Sequence, residues 1–251
     1  GQNVTWDLYF AIVLVLAAPF AGRFLAMLVL RYPNWRGTWF ARSACSRCAT
    51  PSAMRTQLPF LGRFLEGGHC ATCGERTPVL VPLFEIAAFA IAIWSLGMFD
   101  GIAAVTAAML GWLLLSAAVI DQRTMLLPDS LTTIALSLGL AVAAAAGPNA
   151  LLNALTGAAA GFAAFALIGE AFRRLRGQDG IGLGDAKLLA AAGAWVGWQS
   201  LPSLVLIAAC TAIVLILLTR AGKIGDLNRR LPFGPHLALA AWITLLYRPL
   251  I

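Results

Sequence analysis

The sequence predicts an all-α polytopic membrane protein with about eight transmembrane helices and a small cytoplasmic four-cysteine domain between helices 1 and 2. Three observations predict this fold: 60% of the 251 residues are hydrophobic, only 12% are charged, and the mean hydropathy is +0.83. A soluble domain has roughly half of its residues apolar and about a quarter charged. This chain is more apolar and less charged than a soluble domain, which indicates a polytopic membrane protein.

Eight apolar runs divide the chain. They lie near residues 8–30, 79–98, 102–120, 131–146, 150–169, 186–198, 201–219 and 233–248. A spanning helix prefers about 20 residues, so the shortest run is a candidate for a tilted, re-entrant or partly crossing helix. The first run lacks a basic start and a small-residue cleavage site, so we expect a membrane helix there and not a cleavable signal peptide. The predicted divisions are a first helix over 1–30, a cytoplasmic domain over 31–78 and a membrane core over 79–251.

The basic residues predict the orientation. Sixteen of the 18 Lys and Arg fall in alternate connections, which lie on one side of the membrane if there are eight spans. They are Arg31, Arg36, Arg42, Arg47, Arg55, Arg63, Arg76, Arg123, Arg173, Arg174, Arg176, Lys187, Arg220, Lys223, Arg229 and Arg230. Since Lys and Arg mark cytoplasmic loops, the net charge of +7 indicates topology and not a nucleic-acid partner. Both termini are then expected outside the cytoplasm.

Two CxxC motifs lie in the segment 31–78, at Cys45 and Cys48 and again at Cys70 and Cys73. Two such tight turns supply the four thiolates of a tetrahedral zinc site, and four thiolates leave no open position for catalysis. We therefore expect structural zinc, with unpaired thiols or a redox dithiol pair as alternatives. His69 is expected to be a solvated loop residue and Cys210 a small packing residue.

Two acids lie at the same predicted membrane depth. Asp121 ends the third apolar run, and Asp185 precedes the sixth. Two carboxylates that share a site hold a proton between them, so one can act as base towards water and the other as acid towards a carbonyl oxygen. This is the chemistry of an aspartic protease. In the structural alternative, Asp121 pairs with Arg123 and Asp185 caps the sixth helix.

Other polar residues of these regions have simpler interpretations. Asp129, after Pro128, is expected to be a helix N-cap. Glu85 and Glu170 lie inside apolar runs and are expected to line a polar cavity, reach the membrane surface or pair with an arginine. His236 is expected to hydrogen-bond a backbone group or to line a polar cavity.

The stretch "GIGLGDAKLL", residues 180–189, places glycines directly before Asp185. Glycine allows another backbone to approach closely, since it has no side chain. We expect Gly182 and Gly184 to form a loop that accepts an extended substrate strand beside the acid.

These motifs together resemble the type IV prepilin peptidases, a family of membrane aspartic proteases with a GxGD motif. The resemblance rests on the paired CxxC loop, "IDQRTMLLPDSLT" at 120–132, "GIGLGDAKLLAAAGAWVGW" at 180–198 and "LPFGPHLALAAW" at 231–242. It implies that Asp121 and Asp185 are the catalytic pair and that the four cysteines bind zinc.

The resemblance also implies a substrate class and a location. The family cleaves prepilins and pseudopilins of type IV pili and type II secretion, after the Gly that ends a short basic leader, on the cytoplasmic side of the bacterial inner membrane. Many members also methylate the new N-terminus with S-adenosylmethionine. This chain departs from the family pattern in its N-terminal third, as at "AMRTQLPFLGRF", 53–64, so both a peptidase with methyltransferase activity and a peptidase alone stay open.

Two other classes of function fit parts of the chain. A proton-coupled transporter would use the membrane acids as a relay, but the two halves show no inverted repeat. A membrane-anchored binding module would use its arginine-rich cysteine loop to bind an acidic partner or anionic lipid.

Overall fold

The computed structural model describes residues 2–33, 45, 47–48, 50, 59, 68–70, 72–177, 182–221 and 232–247, without the side chains of residues 2–4 and 219–221. Within these residues the chain forms eight α-helices and no strand, and one isolated antiparallel bridge joins His69 to Arg76. The helices are α1 Gln2–Arg31, α2 Leu80–Met98, α3 Gly101–Thr124, α4 Asp129–Ala146, α5 Pro148–Arg176, α6 Leu183–Val196, α7 Leu201–Ala221 and α8 Gly234–Tyr247.

The helix lengths confirm an all-α polytopic membrane fold. Six of the described helices, all except α6 and α8, are long and apolar enough to cross a membrane. The helices α6 and α8 have 14 residues each, which is less than the about 20 that a spanning helix needs. The division into 1–30, 31–78 and 79–251 stays a prediction, and most of the segment 31–78 lies outside the described residues.

The helices α3 and α5 continue well beyond the C-terminal ends of their apolar runs. The helix α3 continues past residue 120 to Thr124, which puts Asp121 inside the helix. The helix α5 continues past residue 169 to Arg176. In its last turns Glu170 accepts hydrogen bonds from Arg173 and Arg174, and pairs at this spacing stabilise a helix beyond its apolar part. Of the three alternatives expected for Glu170, the structure shows pairing with arginines.

The sixth helix is displaced from the predicted run at 186–198. It begins three residues earlier, at Leu183, and ends at Val196. Gly197 follows with a φ of 79°, a left-handed conformation that glycine adopts readily and that ends the helix. A single 3-10 turn, Trp198–Ser200, then leads into α7.

Residues 1–112 form one compact unit, in which α1 packs along α2. Gly22 lies against the backbone carbonyl of Phe84, so closely that no side chain would fit between the helices. On the next residue of each helix, Arg23 Nη1 donates a hydrogen bond to Glu85 Oε1 over 3.1 Å. Of the three alternatives expected for Glu85, the structure shows pairing with an arginine.

Residues 113–251 form a second unit, in which α6 contacts α4, α5 and α8. Ala186 and every residue from Leu188 to Ala194 are buried. Gly157 of α5 and Gly193 of α6 meet backbone to backbone, and a Cβ added at Gly161 would lie 2.6 Å from the carbonyl oxygen of Leu189. Small residues at helix contacts are typical of membrane bundles, because they allow close van der Waals packing.

The close contact between α5 and α6 predicts that a methyl group added at Gly157 lowers the stability of the protein. We expect Gly157→Ala to destabilise the protein by about 1–3 kcal/mol, because its Cβ would overlap the carbonyl of Gly193 and force the helices apart. The measurement is thermal unfolding in detergent. The matched control is Gly97→Ala in α2, where a Cβ meets no atom within 4 Å. Equal melting temperatures for the two variants would contradict this interpretation.

Candidate active site

Asp121 lies in the last turn of α3, and its side chain faces the N-terminus of α8. The residue is buried, with 5% of its surface exposed. Its Oδ2 accepts a hydrogen bond of 3.0 Å from the backbone N–H of Gly234, the first residue of α8. Arg123 is exposed two residues later and does not appear among the ion pairs of the described residues, so the expected alternative of an Asp121–Arg123 pair is wrong.

A short connection after α3 brings the second motif to α6. Met125 has a φ of 56°, and its N–H donates to the carbonyl of Asp121 over 2.8 Å, which turns the chain. Leu127 then packs beside Gly184, where an added Cβ would lie 3.0 Å from the Cβ of Leu127. The glycine before the acid therefore allows the connection between α3 and α4 to pack closely against α6.

Asp129 links the start of α4 to α6. It is the first residue of α4 and not its N-cap, because Pro128 occupies the cap position and no side-chain cap bond forms. Its Oδ1 accepts a hydrogen bond of 2.6 Å from Lys187 Nζ. The prediction of an N-cap aspartate was wrong, because a cation on a helix distant in sequence binds the carboxylate.

Asp185 lies in the first turn of α6. Gly182 is the N-cap of that helix, and no side-chain cap bond forms, so the alternative that Asp185 only caps its helix is not supported. Burial raises the pKa of the Asp185 carboxyl, and the negative charge of Asp121 raises it further, to about 6. The two aspartates, 64 residues apart in the sequence, thus lie near enough for each charge to act on the other.

The two predicted substrate-loop glycines differ in their surroundings. Gly182 is exposed with an ordinary extended backbone (φ −69°, ψ 145°), whereas Gly184 is half-buried against Leu127. Gly180 and Ile181 lie outside the described residues. The role of this loop in binding an extended strand stays a prediction.

Gly234 is the site residue that sequence reasoning missed. The motif "LPFGPH" contributed to the family resemblance, but its glycine had no assigned role. The available signal was a Gly-Pro pair at the start of an apolar run, since proline is common in the first turn of a helix. Only the folded chain reveals that the amide of this turn meets Asp121.

His236 and Cys210 lie at an apolar groove between α7 and α8. His236 Nδ1 and Thr211 Oγ1 share a hydrogen bond of 3.3 Å, so the histidine bonds a side chain and not the expected backbone group. The groove has a volume of about 400 Å³, and apart from this pair its lining is Cys210 and four aliphatic residues. Cys210 is exposed, so the expectation of a packing residue was wrong.

The four cysteines of the two CxxC motifs come together in the first unit. Their sulfur atoms all lie within 4.8 Å of one another, with 3.5 Å between Cys45 and Cys73 and 3.7 Å between Cys48 and Cys70. A zinc ion that binds each sulfur at about 2.3 Å separates the sulfurs by about 3.8 Å, so the cluster fits a tetrahedral zinc ion. His69 is exposed and does not belong to the cluster.

Comparison with known proteins gives two family matches. Residues 108–217, which contain both aspartates, match the type IV leader peptidase family. Residues 16–99, which contain the four cysteines, match the bacterial peptidase A24 N-terminal domain. No solved structure matches the chain.

Curated relatives of the chain are named prepilin leader peptidase/N-methyltransferase, and three of them illustrate the similarity. The protein of Aeromonas salmonicida (strain A449) is 36% identical over 82% of this chain and 71% of its own length. That of Burkholderia pseudomallei (strain K96243) is 41% identical over 82% and 67%. That of Dickeya chrysanthemi is 37% identical over 88% and 75%. With identities of this size over most of both chains, and with both acids inside the matched region, the chain belongs to the type IV leader peptidase family.

Proposed function

We propose that this protein is an aspartic endopeptidase of the bacterial inner membrane that removes the basic leader from type IV prepilins and pseudopilins, with Asp121 and Asp185 as its catalytic pair. The observation that carries the proposal is that Asp121, which accepts a hydrogen bond from the buried amide of Gly234, lies near enough to Asp185 for its charge to raise the pKa of Asp185. Membership of a leader peptidase family favours this function over a proton-coupled transporter. The relatives' name supports prepilins as the substrates.

The two acids can catalyse hydrolysis of the peptide bond by proton transfers alone. One aspartate, ionised, takes a proton from water as the oxygen attacks the scissile carbonyl carbon. The other, protonated, gives its proton to the carbonyl oxygen, and a gem-diol forms. The aspartate that took the proton from water then protonates the leaving nitrogen as the C–N bond breaks. A gem-diol hydroxyl returns a proton to the other aspartate. Both acids end in their starting states.

The proposed cleavage point is the bond after the leader's terminal Gly, at the cytoplasmic boundary of the membrane. The charge distribution supports this orientation, because the basic connections fall on the side of Asp121 and Asp185. Gly182 and Leu183 are exposed beside Asp185, and Met125 and Leu126 are exposed after Asp121. We propose that Gly182 and Gly184 belong to the surface against which the extended cleavage segment lies.

The four cysteines are proposed to hold a structural zinc ion in the cytoplasm. Cys45, Cys48, Cys70 and Cys73 would supply all four ligands, and a closed site stabilises a fold without supplying a nucleophile. The segment is short and rich in arginine, so a metal would compensate for its small apolar core.

We propose N-methylation of the cleaved pilin as a second activity, with S-adenosylmethionine as the methyl donor. The observations that favour it are the relatives' name, which includes N-methyltransferase, and the match of residues 16–99 to the family's N-terminal domain. The alternative is a peptidase without this activity.

Asparagine at either acid tests the peptidase. Asp121→Asn and Asp185→Asn should each lower cleavage of a purified prepilin at least about a thousandfold, because one member of the acid–base pair is lost. Leader removal is followed by mass spectrometry, and melting temperatures establish that the variants fold. Asp100→Asn is the matched control, because Asp100 is exposed and precedes α3. This variant should cleave the prepilin at the wild-type rate. Retained cleavage in both variants would contradict the proposal.

Metal analysis tests the cysteine site. The wild-type protein should contain one zinc ion per chain, and Cys45→Ser should lose it together with thermal stability, because three thiolates bind zinc more weakly than four. Cys210→Ser should keep the full zinc content, since Cys210 lies outside the cluster. A disulfide within either CxxC pair of zinc-free wild-type protein would instead indicate a redox dithiol.

The mass of the cleaved pilin tests the second activity. With S-adenosylmethionine present, we expect the product N-terminus to gain about 14 Da, since a methyl group replaces a hydrogen. The control is the same reaction without S-adenosylmethionine. A product that is cleaved but unchanged in mass would identify a peptidase without methyltransferase activity.

A further inference from the structure

The two proposed catalytic acids have different hydrogen-bond surroundings. Asp121 is deeply buried and accepts the Gly234 amide, whereas Asp185 is half-buried and receives no hydrogen bond to its carboxyl from the described residues. An N–H donor stabilises an ionised carboxylate more than a neutral one. A pair that shares one proton should therefore keep it on the acid without the donor.

The position of Gly234 strengthens this difference. Its amide belongs to the first turn of α8, where N–H groups have no partner within the helix and the positive end of the helix dipole lies. The carboxylate of Asp121 is thus an acceptor for a helix amide, in a site from which most water is excluded. Both the hydrogen bond and the dipole favour a negative charge on Asp121.

Glycine is required at this position for steric reasons. A Cβ added at Gly234 would lie 2.5 Å from Oδ2 of Asp121 and 3.0 Å from its Cγ. Real Cβ atoms essentially never approach another atom so closely, so any side chain at residue 234 would push the carboxylate away from the amide. The glycine therefore sets the position of the acid as well as its hydrogen bond.

The other charged groups on the neighbouring helices have partners of their own or face away. Lys187 of α6 is bound to Asp129 of α4, and His236 of α8 is bonded to Thr211. Arg123, two residues after Asp121 on α3, is exposed. On α5, Glu170 pairs with two arginines of its own helix at an exposed site. Among the described residues, the hydrogen-bond donor that distinguishes the Asp121 carboxyl from that of Asp185 is the Gly234 amide.

We propose that Gly234 is a positioning residue that keeps Asp121 ionised, so that Asp121 is the general base and Asp185 the general acid of leader cleavage. The naming of these roles rests on the proposed peptidase function. Asp121 takes the proton of the attacking water, and Asp185 donates its proton to the scissile carbonyl oxygen. The difference between the two carboxyl groups exists in the enzyme without substrate, and it can be measured without activity.

Infrared spectroscopy of single-aspartate variants tests the assignment. The stretching band of a protonated carboxyl, followed against pH in lipid vesicles, reports Asp121 alone in Asp185→Asn and Asp185 alone in Asp121→Asn. The variant with both substitutions provides the background of the remaining acids. We expect Asp185 to protonate at a higher pH than Asp121. An Asp121 midpoint equal to or above that of Asp185 would overturn the assignment.

Adding Gly234→Ala to each single-aspartate variant measures what the Gly234 amide contributes to the protonation of the remaining aspartate. In Asp185→Asn it should move the Asp121 midpoint up by about one pH unit, because the hydrogen bond is lost. In Asp121→Asn it should leave the Asp185 midpoint unchanged. An unmoved Asp121 midpoint would overturn the role of Gly234, and melting temperatures identify a variant that fails to fold. In that case the comparison of the two single-aspartate variants still decides the assignment.

Kinetics separate this inference from the proposed function. In the otherwise unchanged enzyme, Gly234→Ala should lower kcat for prepilin at least about tenfold while KM stays within about twofold, because the base is displaced and the substrate surface is not. If wild-type protein cleaves no prepilin but the midpoints differ as expected, the peptidase proposal fails and the positioning by Gly234 holds. If cleavage occurs and the midpoints coincide, the peptidase proposal holds and the positioning by Gly234 fails.

Discussion

The backbone contact between α5 and α6 determines where Asp185 lies. Gly157 and Gly193 touch without side chains between them, and Gly161 also lies close to the carbonyl of Leu189. A helix of 14 residues has too little length to be positioned by the membrane, so its neighbours must position it. Small residues allow this, since dispersion between closely packed backbones replaces a hydrophobic force that is weak inside lipid.

The second unit assembles the two acids from three separated parts of the chain. The helix α3 carries Asp121, the first turn of α6 carries Asp185, and the first turn of α8 supplies the Gly234 amide. Two contacts connect the motifs around them: Leu127 against Gly184, and the Asp129–Lys187 ion pair. Because the Asp129–Lys187 pair is exposed, its own contribution to stability is small, at most about 1 kcal/mol. The pair joins the start of α4 to α6 close to the turn on which Asp185 lies.

The two halves of the chain use polar groups in different ways. In the first unit, Arg23 and Glu85 form a partly buried ion pair between α1 and α2, and the four cysteines form a compact cluster that fits zinc. The buried Glu85 carboxylate is thus paired, as buried polar groups usually are. In the second unit, the carboxylates lie near each other with little compensation, and such arrangements are typical of catalytic sites because they leave a proton to be transferred.

The sequence by itself determined the membrane class, the helical fold, the zinc-type cysteine spacing and the two candidate acids, because composition and short-range spacing carry this information. It could not establish that Asp129 binds Lys187, that Cys210 is exposed, or that α6 begins at Leu183, since each depends on residues distant in the chain. The role of Gly234 was also decided by the tertiary structure alone. A backbone amide has no signature in sequence. Its effect on Asp121 exists only in the folded chain, where the Gly234 nitrogen of α8 lies 3.0 Å from Oδ2 of Asp121 in α3.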